Sequence, residues 1–205
     1  HLTRNGGRTW INVSENINMP PWGTISNIEA SRFDPKAAYI SVDFHQMGDF
    51  DPYIYKTIDY GKSWKRISGN IPKSYSSFVH VVKEDPKQEG VLYAGTDNSV
   101  YVSVDGGEYW TKINSNLPPA PVYWITIQEH FDDMVIGTYG RGFYILDDIS
   151  PFREMAKADK EKVQFFPVQD AWRFQSKQSL KSDGASLIRG RNPAYGANLD
   201  FYLPD

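Results

Sequence analysis

The stretch Ser103-Val-Asp-Gly-Gly-Glu-Tyr-Trp110 decides the fold, because two earlier segments of the chain repeat its pattern. These segments are Thr57-Ile-Asp-Tyr-Gly-Lys-Ser-Trp64 and Thr3-Arg-Asn-Gly-Gly-Arg-Thr-Trp10. All three fit the pattern Ser/Thr-x-Asp/Asn-x-Gly-x-x-Trp, and their tryptophans recur about every fifty residues. A repeat of this length is typical of β-propellers and related arrays.

Each copy of the pattern predicts a tight turn between two strands. The Asp or Asn side chain is expected to accept hydrogen bonds from backbone N–H groups two or three residues further on, and Gly permits the positive φ that such a turn needs. The Trp then begins the next strand and is expected to turn its ring inward. The carboxylate is therefore interpreted as structural. The residues assigned to the three turns are Asn5, Gly7, Trp10, Asp59, Gly61, Trp64, Asp105, Gly107 and Trp110.

A second sequence feature, the dipeptide Asp-Pro, recurs with a spacing close to that of the turns. Asp34-Pro35 and Asp85-Pro86 mark turns at equivalent places in two successive repeats. Around them, runs such as Ala38–Phe44 alternate with the period of a strand. Each complete repeat holds four such runs, with Ser63–Ile67 and Tyr109–Ile113 as the fourth. This organisation predicts an all-β fold, a partial β-propeller of four-stranded antiparallel blades.

The sequence predicts three regions. Residues 1–148 would form two complete and two incomplete propeller repeats, 149–191 a short helix and a linker, and 192–205 the first strand of a β-sandwich-like domain. The helix is expected to start at Ser150 as its N-cap and to run to about Ala158. A lone final strand cannot bury its apolar face, so its partners are expected beyond the last residue or in another chain.

The first residues lie directly against the first turn pattern, and we interpret the chain as a piece of a longer protein. The expected partners are therefore the remaining blades of the same propeller, in missing sequence or in another chain. A closed propeller needs at least about four blades. The alternative is one chain of a split propeller that another chain completes.

Composition and charge narrow the classes of function. The net charge of −3 and the pI near 5.8 argue against a nucleic-acid partner, which needs a concentrated basic surface. The chain has no cysteine, which excludes disulfides and thiolate chemistry. No apolar run approaches about twenty residues, so no transmembrane segment is expected. No cofactor motif is present.

Histidine and acidic residues share two loops without the spacing of a metal site. Neither loop shows the helical His spacing of zinc sites or the twelve-residue pattern of calcium loops. No metal is therefore expected, and His80 is expected to form a hydrogen bond at a strand end. The residues of the two loops are His45, Asp49 and Asp51, and His130, Asp132 and Asp133.

The turn pattern resembles the Asp box, or BNR repeat, of sialidases, xyloglucanase-type glycoside hydrolases, sortilin-type receptors and photosystem-assembly propellers. Longer segments look like large exported bacterial proteins described as glycosyl hydrolases or as sortilin N-terminal-like. The resemblance implies an exported protein whose last propeller blades are followed by a β-sandwich region. The segments that carry it are Tyr53–Trp64, Phe78–Pro86, Leu92–Thr96, Gly137–Asp148, Phe165–Phe174 and Asn192–Ala197.

The sequence identifies no catalytic set. Sialidase-like catalysis requires a cluster of arginines, and only Arg141 lies in a suitable Gly-flanked loop. Xyloglucanase-like catalysis requires two carboxylates from different blades, and the sequence offers no means of choosing a pair. The carboxylates at strand ends and in loops are Asp43, Asp49, Asp51, Asp97, Asp132 and Asp133.

Two hypotheses remain from different classes. The first is a scaffold that binds a glycan or a protein through loops at one face of the propeller. The second is part of a glycoside hydrolase whose catalytic carboxylates are shared with missing blades. Trp22 is interpreted either as a packed lid or as an exposed stacking platform. The ligand-binding candidates are Trp22, Tyr123, Trp124, Tyr139 and Arg141.

Overall fold

The computed structural model describes residues 1–113, 116–171 and 196–204 of the chain. The chain divides into two compact units, His1–Ala156 and Lys157–Asp205. Most of the predicted linker and the beginning of the predicted C-terminal domain lie outside the described residues. The domain boundaries at residues 148 and 191 stay a prediction.

Within its described residues, the first unit contains three antiparallel sheets, whose strands pair in the order in which they follow along the chain. Blade A consists of β1 (Thr24–Ala30), β2 (Ala38–Phe44), β3 (Asp49–Thr57) and β4 (Lys65–Arg66). Blade B consists of β5 (Val79–Glu84), β6 (Leu92–Thr96), β7 (Val100–Ser103) and β8 (Thr111–Lys112). Blade C consists of β9 (Val122–Gln128), β10 (Asp133–Thr138) and β11 (Phe143–Leu146). The prediction of an all-β partial propeller with four-stranded antiparallel blades is confirmed.

The remaining elements are short. Two 3-10 helices span Ser14–Asn16 and His45–Met47, and the helix α1 spans Ser150–Lys157. An N-terminal hairpin is paired at a single bridge between Leu2 and Ile11. Among the described residues, no helix has the length and the apolar character needed to cross a membrane.

The blades are held together by apolar side chains from both faces of blade B. One face packs on blade A, where Tyr39 and Ile54 meet Leu92 in a buried cluster. The other face packs on blade C, where Tyr93 and Met134 belong to a second cluster. All five residues of β6 are buried, because this strand has a sheet on either side.

The fourth strand of each complete blade is shorter than the sequence predicted. The runs Ser63–Ile67 and Tyr109–Ile113 were expected to pair over their full length, but β4 and β8 each contain two residues. The N–H groups of Ser63 and Tyr109 donate at 2.9 Å to the turn carboxylates of Asp59 and Asp105. Since these donors close the turn, they are unavailable to the strand ladder.

The three repeated turns share one hydrogen-bond network. In the third copy, the Ser103 hydroxyl donates to Asp105 Oδ1 at 2.7 Å and accepts the Gly107 N–H at 2.9 Å. The carboxylate accepts the N–H of the residue four positions on, so the predicted spacing of two or three was too short. The other two copies show the same pattern, with Thr3 and Thr57 as the hydroxyl residues. The glycines at the fifth position have φ values of +87°, +76° and +95° and are Gly7, Gly61 and Gly107.

The turn carboxylate of blade A is occupied by hydrogen bonds from its own turn. The Ser63 hydroxyl donates to Asp59 Oδ2 at 2.6 Å, in addition to the bond from the Ser63 N–H. These bonds from Ser63, with the Ser63 hydroxyl first, lower the pKa of Asp59 to about 2. An acid that is ionised this firmly stabilises a turn and is unsuited to donating a proton near neutral pH.

The three turn tryptophans differ in burial. Trp110 is 3 % exposed, and its indole N–H donates to the Ile67 carbonyl at 2.6 Å. Trp64 is half-buried against the outer core cluster of blade A. Trp10 is 58 % exposed, so the prediction that every turn Trp points inward is wrong for the first copy. Within the described residues, only the Leu2–Ile11 bridge continues that hairpin, and no sheet covers its ring.

The predicted helix is present, with a different start. Ser150 is the first helical residue of α1 and not its N-cap, and its N–H donates to Asp148 Oδ1 at 2.9 Å. The helix ends at Lys157, one residue before the predicted end.

The second unit contains a two-stranded sheet formed by β12 (Gln164–Phe165) and β13 (Phe201–Tyr202). The final strand therefore has a partner inside this chain, which corrects the expectation that its partners lie elsewhere. Phe165 pairs with Phe201, and their ring centroids are 5.8 Å apart. This partner was not predicted, because β12 and β13 lie far apart in the sequence.

Candidate ligand-binding face

The upper edge of the blades, where β1, β5 and β9 begin, gathers loops from all three sheets. Because neighbouring strands are antiparallel, the second strand of each blade ends at this edge and the third begins there. The connections 45–48, 97–99 and 139–142 therefore lie on one side of the propeller. The repeated turns lie at the opposite, lower edge, since they follow β3 and β7.

A continuous series of rings crosses the upper edge from blade A to blade C. Neighbouring ring centroids are separated by 5.4, 6.2, 5.1, 4.1 and 5.7 Å. The closest contact is a parallel stack of His80 on Tyr123. We call this series the aromatic row, and its members in order are Tyr75, Phe50, Phe78, His80, Tyr123 and Tyr139.

Two histidine–aspartate pairs flank the centre of the row. His45 Nδ1 lies 2.6 Å from Asp43 Oδ2, and the His45 ring stacks on Phe78 at 4.8 Å. His80 Nε2 lies 3.1 Å from Asp97 Oδ1, which confirms the predicted strand-end hydrogen bond of His80. The two pairs come from different blades and fix the orientation of both imidazoles.

Tyr123 and Tyr139, two of the residues singled out in the sequence, are brought together. Tyr123 is 51 % exposed and Tyr139 is 74 % exposed, although both are held in place by the backbone. The Tyr139 N–H donates to the Pro121 carbonyl at 2.9 Å. Burial, together with the charges of Asp97 and Asp43, raises the pKa of the Tyr123 hydroxyl, which therefore remains protonated near neutral pH.

The other three candidates do not join the row. Trp22 precedes β1 at the same edge, is 83 % exposed and has a positive φ of 72°. Arg141 is exposed on the loop that follows Tyr139 and forms no ion pair with the described residues. Trp124 projects from the other side of β9 from Tyr123, where the Lys83 ammonium lies 5.0 Å from its ring centroid.

The loop acids predicted as possible catalytic groups separate into two places. Asp49 accepts the Tyr53 hydroxyl at 2.7 Å at the upper edge, and Asp51 pairs there with Lys73. Asp132 belongs to the lower edge, where it pairs with Arg153 at 2.8 Å. Among the residues the structure describes, no group of three or more histidine and acidic side chains is arranged to hold a metal ion.

Four members of the row were not predicted as site residues, namely Tyr75, Phe50, Phe78 and His80. Tyr75 is 84 % exposed and its ring contacts Phe50 edge-on. Its polar, serine-rich surroundings gave no periodic signal. The contacts that assemble the row join residues far apart in the sequence, and only their equivalent places in successive blades indicated a shared edge.

The comparisons with known proteins give similarities among solved structures only. No protein-family model matches the chain, and no curated protein gives a significant match. A Niastella koreensis GH74 enzyme is similar over 60 % of this chain and 21 % of its own, with 14 % identity and a TM-score of 0.48. The GH74 xyloglucanase from Xanthomonas campestris is similar over 60 % of this chain and 22 % of its own, with 14 % identity and a TM-score of 0.44.

A third similar structure is that of YCF48 bound to D1 peptide. The similarity covers 61 % of this chain and 36 % of that one, with 16 % identity and a TM-score of 0.42. The chain thus spans between 21 % and 36 % of the length of these three proteins.

Proposed function

We propose that this chain is the binding segment of an exported, sortilin-like Asp-box propeller protein and that the aromatic row contacts a glycan. One observation carries the proposal. Exposed aromatic rings in fixed positions lie next to two histidine–aspartate pairs at the upper edge of the three blades. The family and the export rest on the sequence resemblance of the turns and the segments around them.

The chemistry of the row suits sugars. A pyranose ring has an apolar C–H face that stacks on aromatic rings, and Tyr123 and Tyr139 offer such rings to solvent. The hydroxyl groups of a sugar both donate and accept hydrogen bonds. Asp97, whose side chain is 28 % exposed, supplies an acceptor beside the rings, and His80 holds it in place. A protein partner is the alternative within this binding function, and the placement of a hydrogen-bond acceptor beside exposed rings favours the glycan.

Replacing Tyr123 by Ala is expected to weaken glycan binding by about tenfold or more, which corresponds to about 1.4 kcal/mol. The substitution removes the ring that links His80 to Tyr139 in the row. The measurement is migration of the full chain in native gels that contain soluble xylan, mannan or β-glucan. Tyr109→Ala is the matched control, because Tyr109 is also an exposed tyrosine but lies at the lower edge. Equal migration of the two variants in every gel would refute the assignment.

A hydrolase is the second candidate, because Asp43 and Asp97 come from different blades and both lie at the upper edge beside the row. Two carboxylates on one face are the minimum for glycoside hydrolysis. The test is the release of reducing sugars from the same polysaccharides by the chain, by Asp43→Asn and by Asp97→Asn. If the chain releases reducing sugars and both substitutions abolish this release, the hydrolase is supported. If the chain binds the polysaccharides without releasing sugars, the scaffold function is supported.

We further propose that another blade of the same propeller covers the outer face of blade C. Phe143 and Ile145 are 82 % and 63 % exposed there. The corresponding residues in the third strand of blade B are Val100 and Val102 of β7. Blade C buries both of these valines. By analogy with blade B, the exposed face of blade C is therefore expected to pack against another blade.

Sedimentation of the chain tests whether a second copy supplies that blade. We expect concentration-dependent association that Phe143→Asp removes, since a charge on this face prevents sheet-on-sheet packing. A chain that stays monomeric at all concentrations would exclude a second copy as the source.

A further inference from the structure

We infer that the aromatic row takes an extended, uncharged glycan that spans several sugar units from blade A to blade C. The inference rests on the proposed glycan-binding function and specifies its ligand class. Three observations carry it: the length of the row, the rigidity of its far end and the sign of the charge beside it.

The exposed rings at the two ends of the row lie on different blades. Tyr75 precedes blade B next to Phe50 of blade A, and Tyr139 lies in blade C. Four further rings separate them, and the central Phe78 is only 7 % exposed. A single sugar that stacks on Tyr123 and Tyr139 does not reach Tyr75. A chain of several sugar units contacts both ends.

The Tyr75 end is held as firmly as the Tyr139 end. The Ser74 N–H donates to Ser77 Oγ at 2.9 Å, and Ser77 Oγ lies 2.8 Å from the Phe50 carbonyl oxygen. These bonds tie the loop around Tyr75 to β3. Because these bonds already order the backbone of the loop, a ligand that stacks on the exposed Tyr75 ring does not have to order the loop as well.

The charge beside the row disfavours an acidic ligand. Asp43, Asp49 and Asp97 have as partners a histidine, a tyrosine hydroxyl and a histidine, none of which carries a permanent charge. Asp51 pairs with Lys73 and lies 4.0 Å from the Arg66 guanidinium, and Arg141 is exposed on the loop that follows Tyr139. Four carboxylates against three cations leave a net negative charge beside the row, which disfavours uronates and sialic acids, whereas neutral hydroxyl groups find acceptors.

The experiment compares ligand length and charge by isothermal titration of the full chain. The probes are disaccharides and hexasaccharides of xylan, mannan, cellulose and chitin, with hexagalacturonate as the acidic probe and a proline-rich peptide as the protein-like probe. We expect a neutral hexasaccharide to bind more tightly than its disaccharide. Tyr75→Ala should weaken the hexasaccharide about tenfold and leave the disaccharide unchanged, while Tyr109→Ala should change neither.

Each of the other outcomes would contradict a specific part of the inference. If Tyr123→Ala weakens binding but Tyr75→Ala leaves the hexasaccharide unaffected, the ligand is short, and the extended site is wrong while glycan binding stands. If hexagalacturonate binds as tightly as the neutral hexasaccharides, the inference that the ligand is uncharged is wrong. Binding of the proline-rich peptide but of no saccharide would overturn the glycan function itself, and the inference with it.

Discussion

Replacing Arg153 by Met is expected to lower the free energy of unfolding of the chain by about 3–5 kcal/mol. Arg153 Nε donates to both carboxylate oxygens of Asp85, at 2.8 and 2.9 Å, and Asp85 is fully buried. The Tyr93 hydroxyl donates to the same carboxylate at 3.0 Å. Without the guanidinium, a buried negative charge keeps only neutral donors, and that is costly in an apolar interior.

Urea unfolding followed by tryptophan fluorescence measures this loss. Arg32→Met is the matched control, because Arg32 pairs with Glu129 at 2.7 Å while both side chains are largely exposed, at 61 % and 47 %. An exposed pair of this kind contributes less than about 1 kcal/mol. Similar midpoints for the two variants would show that the Arg153 network does not hold α1 to the lower edge of blades B and C.

Replacing Gly107 by Ala is expected to destabilise the chain by about 3 kcal/mol or more, the sum of backbone strain and steric overlap. Gly107 has a φ of +95°, and an added Cβ would lie 2.6 Å from Ile67 Cδ1 and 2.9 Å from Ile67 Cβ. Ile67 belongs to the core between blades A and B. The turn of blade B therefore cannot accept a side chain at this position without moving the core beneath it.

Gly106, the neighbouring glycine, allows the cost of backbone strain to be measured separately from the cost of steric overlap. Gly106 also has a positive φ, of +76°, but its nearest contact would be the Lys56 ammonium at 3.8 Å, at the flexible end of a side chain. Gly106→Ala should therefore cost only the backbone term of about 1–2 kcal/mol. Thermal unfolding of both variants distinguishes the costs. If Gly106→Ala proved as harmful as Gly107→Ala, contact with Ile67 would not explain the requirement for glycine.

The blades were predictable because local chemistry determines them. The bounds of β2 were predicted correctly, since alternating apolar residues that follow an Asp-Pro turn leave little freedom in register. The role of the hydroxyl in each turn was missed. Thr57 and Ser103 bind both the turn acid and the glycine N–H, a pairing visible only once the backbone has closed.

The candidate site was only partly predictable, for a geometrical reason. Tyr123 and Trp124 are neighbours in the sequence and looked equivalent, but successive side chains of a strand project to opposite sides. Only Tyr123 therefore reaches His80. The stacking of His80 with Tyr123, and its bond to Asp97, depend on how two sheets pack, which no local pattern encodes.

An NMR titration of the aromatic side chains tests the central claim most directly. The titrant is the best-bound neutral hexasaccharide of the panel, added to the full chain. Binding at the row should shift the ring signals of His45, His80, Tyr123 and Tyr139 together, and leave Tyr109 of the lower edge unchanged. Shifts confined to residues outside the row, or no shift with any hexasaccharide, would contradict the assignment of this face as a glycan-binding site.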